Sequence, residues 1–125
     1  MEQKNNIDIS VVVPIYNEEQ NITELYDRLK KTVSQISENH ELIFVNDGSK
    51  DLSLMGLMRL AEQDSNVFYI NFSRNFGHQI AVTAGLDASR GKAVVIIDGD
   101  LQDPPELIAD LYQKYQEGYE VVYAK

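Results

Sequence analysis

The chain has 125 residues, 43% of them hydrophobic, which suffices for a single domain burying somewhat under about 70% of its unfolded surface with no disulfide to hold it. It contains no cysteine, which excludes thiol catalysis and thiolate metal sites. Eleven Lys and Arg against twenty Asp and Glu leave a formal charge of −9, which repels nucleic acid but still admits a small anionic ligand bridged by a divalent cation.

The opening MEQKNNI lacks the apolar core of a signal peptide, and no apolar run approaches the roughly 20 residues of a membrane span, so a cytoplasmic location is expected. Asp8 to Pro14 (DISVVVP) is a continuous apolar run ending in a residue that cannot donate to a sheet ladder, which predicts a first strand. Ile22, Leu25, Tyr26, Leu29, Val33 and Ile36 recur at spacings of three and four and predict one face of a long helix. Asn17, with Gln20 three residues on, suits the start of that helix as a cap, and Glu18 suits its dipole.

Glu41 to Asn46 (ELIFVN) predicts a second strand closed by Asp47-Gly48-Ser49, and Asp51 can cap a helix bearing Leu54, Leu57, Met58 and Ala61. Val67 to Phe72 predicts a third strand, followed by a loop over Ser73 to Gly77 (SRNFG). A helix with Ile80, Ala81, Ala84 and Ala88 comes next, its small side permitting close packing, and ends near Gly91. Ala93 to Ile97 predicts a fourth strand. Pro104-Pro105 then presets a helix striped by Leu107, Ile108, Leu111, Tyr112 and Tyr115 and stopped by Gly118, before a last strand at Glu120 to Tyr123.

Apolar strands alternating with helices predict a doubly wound α/β domain with a mostly parallel sheet, in which ligands bind beyond the carboxyl ends of the strands where the strand order reverses. With the order 3-2-1-4, that point lies between strands one and four. It sets Tyr16 to Glu18 beside Asp98 to Asp100, with Asp47 one strand away.

The fourth strand runs into Asp98-Gly99-Asp100. Side chains two apart point the same way and Gly99 turns without steric cost, so Asp98 and Asp100 can converge on one ligand, with Gln102 adding a neutral oxygen. Hard cations such as Mg²⁺ and Mn²⁺ take carboxylate oxygens and share their shell with phosphate and water. Alone, Asp-Gly-Asp reads equally as a polar turn, and Asp47 as an Asx turn in DGSKD. Together the loops offer an aromatic to cover a base, a carboxylate for base or ribose hydrogens and a cation site for a diphosphate, which fits a sugar nucleotide. The glycine patterns of a dinucleotide fold and of a P-loop are absent from PIYNEE, so phosphate must be held by metal. Arg74 is taken as a solvated side chain, and His40 and His78, without partners at ligand spacing, as loop and helix-start residues.

The segments VVVPIYNEEQNI, VNDGSKD, NFSRNFGHQIAVTAGL and IIDGDLQDPPE, in that order, resemble the GT-A-fold glycosyltransferases of family two, and within them the polyprenol-phosphate glycosyltransferases that include dolichol-phosphate mannose synthases. The likeness runs from about Ile9 to Tyr123. It implies an inverting transfer of sugar from a UDP- or GDP-linked donor to an acceptor, a polyprenyl phosphate or a saccharide, with a membrane reached only through further chain or a lipid acceptor. Carried over by position, Pro14, Tyr16, Glu18, Asn46 and Asp47 line the nucleoside pocket, Asp98 and Gly99 touch ribose and diphosphate, and Asp100 and Gln102 hold Mg²⁺ or Mn²⁺.

Such enzymes carry further chain supplying the acceptor site. Residues 1–125 are therefore expected to be the donor-binding N-terminal part of a longer enzyme, with no catalytic base identifiable. Two alternatives are a phospho-receiver domain, which needs an acidic pair after strand one and an aspartate ending strand three, and a pyrophosphorylase fragment, which needs a basic glycine-rich loop near strand one. Neither set of residues is present.

Overall fold

A computed structural model describes residues 6–118. The elements alternate as β1 (Ile9–Ile15), α1 (Ile22–Ile36), β2 (His40–Asn46), α2 (Ser53–Gln63), β3 (Val67–Asn71), α3 (His78–Ala88), β4 (Ala93–Ile96) and α4 (Leu107–Gln116). All strand pairs are parallel and the order is β3-β2-β1-β4, as the apolar runs predict. A receiver domain of the flavodoxin-like order would set β1 between β2 and β3, so that alternative is excluded by topology. The strand expected at Glu120 to Tyr123 lies outside the described residues. No described helix is long and apolar enough to cross a membrane.

The chain builds outward from β1 through β2 to β3, then returns across the sheet to place β4 on the other side of β1. Right-handed crossovers put helices from opposite directions of travel on opposite faces. Accordingly α1 and α2 cover one face, where α4 joins them, and there Leu25, Leu29, Leu57 and Ile108 pack on Val11, Val13, Leu42, Phe44 and Ile97. On the other face α3 lies over β1 and β2 through Ala81 and Gly85. A Cβ on Gly85 would stand 2.3 Å from Cγ1 of Val12, so this helix approaches the sheet at a distance only glycine allows. Ile80, expected on the packed side, is instead exposed, because Ala81 and Gly85 make that approach.

Several element ends differ from the expectation by a residue or more. β1 continues through Pro14 to Ile15, with Pro14 opposite Val45. Ile15 C=O accepts from Asp47 N–H on the β2 side while Val12 C=O accepts from Ile97 N–H on the β4 side, so the nitrogen of Pro14 faces β4, past the end of its ladder. A missing donor costs nothing there. Asn17 is not the cap of α1, which starts after Asn21; it holds φ 55, a left-handed conformation asparagine tolerates.

At the amino ends of the strands, buried Glu41 accepts from Ser10 Oγ at 2.7 Å, from Arg90 N–H at 2.7 Å and from the Arg90 guanidinium at 3.1 and 3.2 Å, which pins the start of β4. His40, expected in a loop, is the buried first residue of β2. Its Nδ1 donates to Ser37 C=O at 2.8 Å, leaving a bare Nε2 that accepts from Lys30 Nζ at 2.9 Å. Burial pushes the imidazole below its ordinary value, and the Lys30 charge pushes the same way.

The folded chain therefore resists a proton that the unfolded chain takes up below about pH 6.5. Stability from this residue is full above that pH and falls as pH drops below it. Urea unfolding at about pH 7.5 and 5.5 should show a loss that His40→Asn reduces. An equal loss in the variant would remove His40 as its source.

Candidate functional site

The carboxyl ends of β1, β2 and β4 meet at one edge of the sheet. Pro14, Ile15, Tyr16, Asp47, Asn75, Gly77 and His78 line a cavity of about 220 Å³ there. Gly99 closes the gap between β4 and β1: a Cβ on it would stand 2.6 Å from Ile15 Cδ1 and 3.0 Å from the Pro14 carbonyl oxygen. The acidic turn is thereby seated directly against the end of β1. Leu101, at φ 64, tethers the turn by packing on the main core.

The first two loops are stitched together by side chains. Asn17 N–H donates to Ser49 Oγ at 2.9 Å and Asn17 Oδ1 accepts from Lys50 N–H at 2.8 Å. Glu18 N–H donates to Ser53 Oγ, Glu19 N–H to Asp51 Oδ2, and Leu52 N–H back to Glu19 Oε1. Asp51 Oδ1 also accepts from Ser53 N–H at the start of α2, close to its expected capping role. Tyr16, preceding this lattice, keeps its ring exposed on the cavity wall.

Asp47 is buried, and its carboxylate faces the loop after β3. Oδ1 accepts from Phe76 N–H at 2.7 Å, and Oδ2 accepts from Gly77 N–H and Asn75 Nδ2, each at 3.1 Å. Gly48, at φ 72, permits the close approach, since a Cβ there would stand 2.2 Å from the Arg74 carbonyl carbon. Asn46 is also buried; its Nδ2 donates to Asn71 Oδ1 at 2.9 Å, so it braces β3 from behind the cavity and is not among the lining residues. Arg74 lies with its guanidinium 4.4 Å from the Phe76 ring centroid, a stacked rather than simply solvated side chain.

Asp98 is half-exposed and its Oδ1 lies 2.9 Å from His78 Nε2. Asp100 and Gln102 are exposed, and Asp100 Oδ1 accepts from Gln102 N–H at 3.1 Å, which curls the turn. Glu18 is partly buried and accepts from Asn21 Nδ2. Burial pushes its carboxyl up, Asn21 partly offsets this, and the charges of Asp100 and Asp51 add to the rise. Loop one and the acidic turn thus share one negative field.

Of the residues expected at the site, Pro14, Tyr16 and Asp47 line the cavity, Asp98, Gly99, Asp100 and Gln102 form the turn after β4, and Glu18 and Asn46 are not among the lining residues. Sequence reasoning did not find Asn75 and His78, which complete the cavity wall; His78 starts its helix as expected but has a partner in Asp98. The signal for both was the short loop after β3, which a parallel sheet must deliver to the same edge as every other strand end.

The sequence profile described as Glycosyl transferase family 2 matches residues 10–125. The chain is 59% identical over 119 residues to the uncharacterized glycosyltransferase YkcC of Bacillus subtilis (strain 168), covering 95% of this chain and 37% of that protein. It is 42% identical over 115 residues to the undecaprenyl-phosphate 4-deoxy-4-formamido-L-arabinose transferase of Proteus mirabilis (strain HI4320), covering 91% and 35%. Among solved structures, S. aureus TarS (1–349) in complex with UDP-GlcNAc superposes with a TM-score of 0.65 at 27% identity, covering 85% of this chain and 32% of that one. The chain thus spans little more than a third of the length of the curated relatives it matches. With the profile covering nearly every residue and the sheet edge built as described, the chain belongs to glycosyl transferase family 2.

Proposed function

We propose that residues 1–125 form the donor-binding part of an inverting glycosyltransferase, holding a UDP- or GDP-sugar with Mg²⁺ or Mn²⁺ for transfer to a polyprenyl phosphate or a saccharide. One observation carries this: the Gly99 turn sits against the Pro14 carbonyl, so the acidic residues that follow β4 and the cavity at the end of β1, with Tyr16 on its wall, form one continuous edge. The UDP-GlcNAc bound to TarS supports the donor class, and the polyprenyl acceptor in the name of the Proteus mirabilis relative supports the acceptor class. Transfer to a lipid phosphate would bring the longer protein to the cytoplasmic face of a membrane.

In this assignment the exposed Tyr16 ring covers the base beside Pro14. Asp47, with Asn46 bracing its strand and Glu18 following β1, bounds the nucleoside. Asp98 and Gly99 face ribose and diphosphate. Among the described residues no three His, Asp or Glu side chains gather into a ready metal cage. A site of one or two carboxylates completed by substrate phosphates is what Mg²⁺ and Mn²⁺ accept, and Asp100 with Gln102 supplies oxygen ligands of that kind. When bound, the cation would offset the charge of the diphosphate against a chain of −9.

Thermal unfolding with UDP, GDP, CDP and their sugars tests this. With Mn²⁺, a nucleotide of one base should stabilise the chain by about 2.7 kcal/mol at 100 times its Kd, and a chelator should abolish the effect. Failure of every nucleotide to shift unfolding would overturn the donor assignment. An equal shift with chelator would overturn the cation alone.

A further inference from the structure

His78 is mostly exposed, yet it is held through the backbone before it and through one nitrogen of its ring. Gly77, immediately before it, sits at φ 106 with its N–H donated to the buried Asp47 carboxylate, so the start of α3 is fixed to the end of β2. At the other end Nε2 lies 2.9 Å from Asp98 Oδ1. An ionised carboxylate can only accept, so Nε2 carries the hydrogen and donates. The bond spans from the cavity wall, which His78 lines, to the first carboxylate of the acidic turn.

It engages one oxygen of Asp98 and leaves Oδ2 without a hydrogen-bond donor among the described residues. A carboxylate at a strand end with both oxygens free rotates about its terminal torsion, which is broad; one anchored oxygen fixes where the other points.

We infer that His78 is a positioning residue for donor binding: by donating to Asp98 Oδ1 it aims Oδ2 at the ligand, tying the nucleoside cavity to the acidic turn. The inference rests on the donor-site proposal above. The competing role is a surface ion pair joining α3 to β4, and exposed pairs of that kind contribute little to folding.

Calorimetric titration of the chain with the nucleotide that binds it in Mn²⁺ separates the two, alongside urea unfolding without nucleotide. His78→Ala should weaken binding about tenfold, as loss of a supporting partner does at ligand sites, with an unchanged unfolding midpoint. His78→Gln, whose amide nitrogen can still donate, should bind within about threefold of the unaltered chain. In an Asp98→Ala background, which leaves Nε2 nothing to donate to, His78→Ala should cost nothing further. Unchanged binding by His78→Ala, no recovery in His78→Gln, or an undiminished cost in the Asp98→Ala background would each overturn the positioning role. Absence of binding by the unaltered chain would fell the donor proposal and this inference together, whereas binding unaffected by His78→Ala fells this inference alone.

Discussion

Asp47→Ala is expected to lower the free energy of unfolding by about 2 to 4 kcal/mol, a large share of the 5 to 15 kcal/mol typical of a domain. The carboxylate is buried and accepts from two backbone amides and one side-chain amide of residues 75–77. Hydrogen bonds to a charged group contribute about 1.5 to 3 kcal/mol each, but Asn75 and Phe76 are exposed and can rehydrate, which keeps the loss below the sum. Asp47→Asn keeps one acceptor and turns an amide donor toward donors, so it should fall between the two. Urea unfolding checks both, and a loss under about 0.5 kcal/mol for the alanine variant would show that the loop after β3 is held by something else.

Asp100→Asn should act the other way round, sparing the fold and removing the ligand. Its carboxylate is exposed and accepts from Gln102 within its own turn, so unfolding should change by less than about 0.5 kcal/mol. Mn²⁺-dependent affinity for the nucleotide should fall about 100-fold, or about 3 kcal/mol, because an amide in place of a carboxylate leaves the diphosphate repelled by the remaining negative edge. Calorimetry with and without chelator measures this. Affinity within about threefold of the unaltered chain would move the cation off Asp100.

The sheet was legible because its inner strands are buried on both faces and so read as unbroken apolar runs; β1 and β2 are buried at every position. β3 gave the same apolar signal, yet Phe68 and Tyr69 are exposed, because no strand lies beyond it among the described residues. Local pattern cannot distinguish an edge from a centre. The helix that crosses to the far face misled for a related reason: closeness to the sheet is set by Gly85, and hydrophobicity gives no credit to a residue without a side chain.

At the site, strand order alone sets Tyr16 to Glu18 beside Asp98 to Asp100 with Asp47 one strand away, whereas Pro14 and Asn46 enter only through the family resemblance. Asn17 was mistaken for a helix cap because asparagine serves both caps and left-handed turns, and only its bonds to Ser49 and Lys50 tell them apart. His78 and Asp98 are 20 positions apart with no shared periodicity, so nothing short of the packed helix could pair them.

The lattice joining residues 17–19 to residues 49–53 makes two loops into one plate, its backbone amides already satisfied by fixed side chains. Conformational entropy for that wall is lost during folding, so a ligand resting on it pays little ordering cost of its own. The 98–102 turn is seated on β1 at Gly99 but otherwise held only by His78, its own curl and Leu101, and its exposed acidic end has more ordering left to do when a ligand arrives. A rigid surface discriminates shape and a yielding one conforms to it. If the donor proposal holds, selectivity should therefore reside on the β1 and β2 side of the edge, and tolerance on the β4 side, so that a single scaffold would keep one nucleoside while accommodating changes in what the nucleoside carries.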